Sequence, residues 1–220
     1  MDLGICVASH IGDVDYVVRA EELGYTHAWL ADSQMLWSDC YATLALAATR
    51  TNQIKLGTGV AITGTRPAPV NAAGIATINA IAPGRTFFGI GAGNTAMRVM
   101  GLPPHRIKQF EQYLKTLIPL LKGEESVLHV GDKSLPIKHI MPESGFVNFR
   151  DPIPLYISGF GPKSLALAGK YGDGAVLGVN TPETVSGMWH LIQEGAKEIN
   201  RELKPKENYY TTALTSMVVL

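Results

Sequence analysis

Gly159, Phe160 and Gly161, followed by Pro162 and Lys163, make up the segment of this chain best suited to hold an anion. Two glycines leave backbone amides unobstructed, and proline stands where a first helical residue belongs. Aligned peptide dipoles put partial positive charge at such a helix start, and Lys163 adds a full charge when its side chain turns back toward the loop. The same residues also make an ordinary strand-to-helix turn, and the local sequence does not choose between the two. A second small-residue cluster, GIGAGNTA at 89–96, offers Gly91, Gly93 and Asn94. Its glycines are spaced G-x-G-x-G, and Asn94 stands where a dinucleotide fingerprint requires its third glycine. What remains is either a simple turn or a low rim that a flat ring can approach, with Asn94 as amide donor and acceptor.

Two further groups follow the first apolar runs of the chain: His10 after the first, and Asp32 with Ser33, Gln34 and Trp37 after the second. Asp32 accepts from a ring N–H, positions a substrate, or caps the helix that follows, since Asp and Ser are common in that place. Asp32 and His10 are the candidate catalytic groups. The six histidines are otherwise scattered, with no H-E-x-x-H, H-x-H or cysteine pairing, so no catalytic metal is expected. A serine hydrolase is unsupported as well, because no G-x-S-x-G elbow occurs.

The elements that must position these groups alternate. Short apolar runs at 3–8, 25–32, 54–60, 86–91, 153–158, 174–180 and 209–220 are separated by helical patterns, several ending at glycine, which is the signature of βα units on a parallel sheet. The helix with Ile107, Phe110, Leu114, Leu117, Ile118 and Leu121 at helical spacing is the longest, and Pro119 is expected to kink its last turn. Residues 124–150 break the pattern: ESVLHVGDKSLPI alternates around Gly131-Asp132 and reads as an inserted hairpin. Polar or glycine clusters follow nearly every strand, at Asp32, Gly59, Gly91 and Gly159, whereas a doubly wound sheet gathers its site at one switch point. The fold class expected is therefore α/β, a TIM-type parallel β/α barrel in one domain over 1–220. A barrel of this type takes about 250 residues, so this one is expected to be truncated near its seventh strand, with the first and seventh strands as edges.

Nineteen basic and nineteen acidic residues cancel, so no net field favours nucleic acid or an anionic membrane. Cys6 and Cys40 form no paired motif, and neither a signal peptide nor a membrane span is recognisable; the expectation is a cytoplasmic protein with reduced thiols.

The segments AEELGYTHAWLADSQ, IKLGTGV with TRPAPV, PGRTFFGIGAGN, the helix ending LLKGE, and ISGFGPKSLALAGKYGDGAV, taken in this order and at this spacing, resemble the bacterial luciferase-like superfamily. The resemblance is nearest to its coenzyme F420-dependent branch, of which methylenetetrahydromethanopterin reductase is an example. It implies a barrel with coenzyme F420 or FMN across the strand ends, a small organic substrate, and a homodimer. It also implies a non-proline cis peptide at Gly59-Val60 with a bulge in the third strand. Asp32, Gly91, Gly93 and Asn94 would line the ring, and Gly159, Phe160 and Gly161 would take the phosphate. Basic residues that hold phosphate or substrate in some relatives would lie beyond residue 220. Hydride transfer with the (deaza)flavin is the leading function implied; the alternatives are an FMN-dependent monooxygenase using O₂ and a non-catalytic flavin-binding short barrel, like the family's non-fluorescent flavoprotein.

Overall fold

The computed structural model describes residues 2–178, 181–204 and 209–213. The chain alternates strand and helix: β1 (Gly4–Val7), α1 (Asp15–Glu22), β2 (His27–Leu30), α2 (Cys40–Arg50), β3 (Lys55–Ile62), α3 (Ala68–Ile81), β4 (Thr86–Gly91), α4 (Asn94–Val99) and α5 (Ile107–Leu121). An antiparallel hairpin, β5 (Ser126–Val130) and β6 (Lys133–Ile137), interrupts the series. The series resumes with β7 (Leu155–Ser158), α6 (Pro162–Tyr171), β8 (Gly174–Leu177), α7 (Pro182–Lys197) and β9 (Tyr210–Ala213). The seven strands outside the hairpin form one parallel sheet in the order β1-β2-β3-β4-β7-β8-β9. A sequential order without a reversal is that of a TIM-type β/α barrel, since a doubly wound sheet changes direction at its switch point.

Strand alternation splits the interior in two. In β2, β4, β7 and β8 the residues Ala28 and Leu30, Phe88 and Ile90, Leu155 and Ile157, and Ala175 and Leu177 face the helices, where they join Leu44, Ile75, Phe110, Leu114 and Leu117 in the main core. The intervening residues Trp29, Phe87, Tyr156 and Val176 face the other way and form a separate small cluster with Val60.

At the amino ends of the strands, polar groups fix the turns. The Glu21 carboxylate accepts from the amides of Asn52, Gln53 and Ile54, and the Arg85 guanidinium donates to the carbonyls of Ile54 and Thr51. These bonds satisfy backbone groups that the α2–β3 connection would otherwise leave unpaired. The hairpin is tied down as well: Ser126 Oγ donates to the Thr116 carbonyl at 2.7 Å and Thr116 Oγ1 to the Val127 carbonyl at 2.8 Å, joining it to α5.

Several expectations are refined. The hairpin lies inside 124–150 as read, turning at Gly131. Pro119 falls in the last turn of α5, which ends two residues later. The first and eighth strands are shorter than their apolar runs, and β3 continues to Ile62. Residues 214–220 and 179–180, included in the expected last two runs, lie outside the described residues. The short helix α4, which no periodicity announced, follows β4 directly.

Candidate functional site

The inner cluster makes a floor. Trp29 and Phe87 have ring centroids 4.3 Å apart, and Tyr156 lies 5.5 Å from Trp29 and 5.6 Å from Phe87. Toward the carboxyl ends, the residues continuing the same face are small. A Cβ built on Gly89 would stand 2.3 Å from the Thr58 carbonyl oxygen and 3.0 Å from the Trp29 ring, and one on Gly91 would stand 3.0 Å from Val60 Cγ2 and 3.4 Å from Ser158 Cβ. No side chain fits at Gly89, and little fits at Gly91; both glycines are buried, and they let Thr58, Val60 and Ser158 close in where a barrel presents its functional face.

Val60 reaches this position through a local irregularity. The Gly59-Val60 peptide is cis, and the pairing of β3 with β4 shifts between Thr58 and Ala61. The cis bond and the bulge both stand where the resemblance implied them. Thr58 Oγ1 donates to the Gly89 carbonyl at 2.6 Å and holds the two strands together just before the shift.

Asp32 lies at the end of β2 with its side chain 2% exposed. Arg66 NH1 donates to its Oδ2 at 2.6 Å and Gln34 Nε2 to its Oδ1 at 2.7 Å. Burial raises the Asp32 pKa from its ordinary value, and the guanidinium opposes that rise. Asp32 does not cap the next helix: Asp39 does, accepting the Ala42 amide at 2.9 Å. Arg66 NH2 also donates to Asp39 Oδ2 at 2.8 Å, and its guanidinium carbon lies 5.0 Å from the centre of the Tyr41 ring. Behind it, Tyr41 donates to Asn71, Asn71 Nδ2 donates to the Tyr113 hydroxyl, and that hydroxyl donates to the Arg66 carbonyl. With both oxygens of Asp32 occupied by fixed donors, the geometry favours an ionised anchor over a proton carrier.

The other expected residues spread along the same rim. His10 follows β1, is exposed, and places its ring edge against Gly12. Gly93 is left-handed (φ 84°) and opens α4, with Ile62 Cγ2 at 2.2 Å from where its Cβ would be. Asn94 is exposed and accepts from Arg98 Nε at 2.6 Å, so its carbonyl is engaged along its own helix.

In the glycine turn, the Gly159 amide donates to the Val176 carbonyl and the Gly161 amide to Ser164 Oγ. The Phe160 amide has no acceptor among the described residues, and α6 begins immediately at Pro162, leaving its first-turn amides toward the turn. No atom lies within 4 Å of a Cβ built on Gly161, so the turn is open on that side. The Phe160 ring is 66% exposed and lies over Gly178, at the end of β8.

Sequence reasoning brought Gly59, Val60, Gly91, Gly159, Phe160 and Asp32 to one end of the sheet. It missed Arg66, Asp39, Ser158 and the Trp29–Phe87–Tyr156 floor. Arg66 stood inside the quoted segment TRPAPV, but no local pattern gave it partners far back in the chain.

Against known proteins, the family described as luciferase-like monooxygenase matches residues 12–218. A 5,10-methylenetetrahydromethanopterin reductase of Methanolobus tindarius is 32% identical over 194 residues, which cover 87% of this chain and 57% of that protein. The structure of coenzyme F420 dependent tetrahydromethanopterin reductase from Methanopyrus kandleri has a TM-score of 0.73 at 24% identity, covering 91% of this chain and 62% of that one. The oxygenating constituent of 3,6-diketocamphane monooxygenase from Pseudomonas putida, a type II Baeyer-Villiger monooxygenase in complex with FMN, has a TM-score of 0.75 at 18% identity, covering 96% and 66%. The two solved structures share the fold. The chain spans a little over half the length of the reductase it matches.

Proposed function

The chain belongs to the luciferase-like monooxygenase family, and from that membership we propose that it is an oxidoreductase that binds coenzyme F420, or in its place FMN, at the carboxyl ends of its strands. The observation that carries this reading is the register shift of β3 between Thr58 and Ala61, which sets Val60 against Gly91 beside Ser158 above an aromatic floor. Such a surface suits a flat, largely apolar ring whose face must lie close to backbone. The amide-rich turn at Gly159–Gly161, with its helix start, suits the anionic tail of the same molecule. Bound there, the ring would supply hydride chemistry toward a small organic substrate.

The protein's own part is placement. Val60 and Gly91 would support one face of the ring, and the Phe160 amide with the first turn of α6 would hold the phosphate. Asp32, held by Arg66, would fix the end of β2 beside the bulge, and His10, exposed at this end, would face a substrate. The relationship to the F420-dependent reductase favours the deazaflavin; the likeness to an FMN-containing monooxygenase keeps an oxygen-using reaction as the second reading. The family resemblance further supports a homodimer in the cytoplasm. Among the described residues, no helix is long and apolar enough to cross a membrane.

Fluorescence titration of the purified protein with F420 and with FMN tests the reading. Saturable binding of F420, with FMN weaker, is the expected result, and binding of neither overturns it. Oxygen consumption with reduced FMN would select the second reading.

A further inference from the structure

Arg66 has no role in the reading above beyond its contact with Asp32, yet it is the most connected side chain near the rim. It lies in the connection between β3 and α3, four residues past the end of the bulged strand. Its two terminal nitrogens reach carboxylates on different elements, Asp32 at the end of β2 and Asp39 at the start of α2, at 2.6 and 2.8 Å. Its guanidinium plane packs near Tyr41, and its carbonyl accepts from Tyr113 on α5. A planar fork that binds two carboxylates fixes angle as well as distance, which a lysine does not. Between those two carboxylates runs the loop 33–38, whose Ser38 amide donates to the Ser9 carbonyl and whose Ser38 hydroxyl accepts the Ile11 amide. Arg66 thus joins the loops following β2 and β3, and Ser38 ties the loop following β1 to them.

We propose that Arg66 is a positioning residue of the cofactor site: it clamps Asp32 and Asp39 so that the loop following β2 is held in place beside the Val60 bulge. This rests on the cofactor reading and deepens it. Binding then depends on the charge of Asp32, because protonation there would release Arg66 from one carboxylate and Gln34 from its acceptor. The groups bearing on Asp32 are Arg66 from the β3–α3 connection, Gln34 from its own loop, the Ile62 amide from β3, Asp39, Cys40 and Tyr41 from α2, and Tyr113 from α5. Arg66 is the cation among them.

Arg66→Met and Arg66→Lys are compared with the parent chain in three measurements: F420 and FMN affinity across pH, the Asp32 carboxyl titration by NMR in the cofactor-free protein, and thermal unfolding. Loss of the fork is expected to weaken binding by about tenfold or more near neutral pH, the scale of one charged hydrogen bond. The acid limb of binding should move to higher pH in Arg66→Met and return most of the way in Arg66→Lys. An affinity lowered equally at every pH, or unaltered, overturns the proposal. If Arg66→Met does not fold, the lysine variant still decides, since it keeps the charge and loses the fork: affinity equal to the parent would refute positioning by geometry. If the parent binds neither cofactor, the functional reading fails on its own, while an Asp32 titration that does not move between parent and variants overturns the clamp.

Discussion

Replacing Gly161 with alanine separates stability from binding, and the structure sets the sign of each. Gly161 has φ −104° and ψ 162°, an extended conformation open to alanine, and a Cβ there meets nothing within 4 Å. Restricting the unfolded chain stabilises by about 0.4–1 kcal/mol. Against this, glycine is the better N-cap, and its loss at the head of α6 costs about 0.5–1 kcal/mol by the difference between the usual cap substitutions. The two nearly cancel, so the Tm should shift by no more than about 2 °C in a chain of this size. The new methyl would stand on the open side of the turn, where the proposed function puts the cofactor phosphate. Losing one charge-assisted hydrogen bond there costs about 1.5–3 kcal/mol, or roughly ten- to 150-fold in Kd. Differential scanning fluorimetry and fluorescence titration on the same samples read both quantities. Unchanged affinity in a variant of unchanged Tm would refute the placement of the anion at this turn.

Gly89→Ala should behave in the opposite way, destabilising by about 1–3 kcal/mol with or without ligand, because its Cβ would meet the Thr58 carbonyl at 2.3 Å; a denaturant midpoint equal to the parent's would count against the packing described. Asp39→Ala removes the cap of α2 and one arm of Arg66, and a loss of about 1 kcal/mol is expected in urea unfolding. His27 is fully buried, and its pKa is pushed down to about 4 by burial and then by Lys55. It stays neutral in the fold while the unfolded chain protonates near 6.5, so stability is lost as pH falls from about 6.5 toward 4, by up to about 1.4 kcal/mol per unit. His27→Gln should flatten that acid slope, and a slope identical to the parent's would refute the assignment.

The βα alternation and the inserted hairpin were legible because both rest on local signals: apolar period, a glycine-aspartate turn, and proline at a helix start. The rim glycines were legible for the same reason, since each closes an apolar run. The Arg66 hub was not, because an ion pair between Asp32 and Arg66 spans 34 positions and leaves no mark on the residues next to either. Asp32 itself drew notice by its place after a strand, but its partners, and hence its character as an anchor, come only from the packing of three loops. The inner floor was hidden differently. Every residue of β2, β4 and β8 is buried, so alternation gave no sign of which face held Trp29 and Phe87. The helix α4 escaped because six residues are too few to display a period.

Strand glycines closed in by their neighbours restrict how this site can change through mutation. At Gly57 and Gly89 an added methyl would meet atoms 2.2 and 2.3 Å away, so most substitutions there are removed by failure to fold before any effect on specificity is felt. The loops carry no such bar: Leu36, Trp37 and Phe160 have room around them. Diversification on this scaffold should therefore be written in the connections, while the strands keep a constant seat beneath them. A library that randomises Leu36 and Trp37 should yield many folded variants with altered ligand preference, and one that randomises Gly57 and Gly89 should yield few that fold at all.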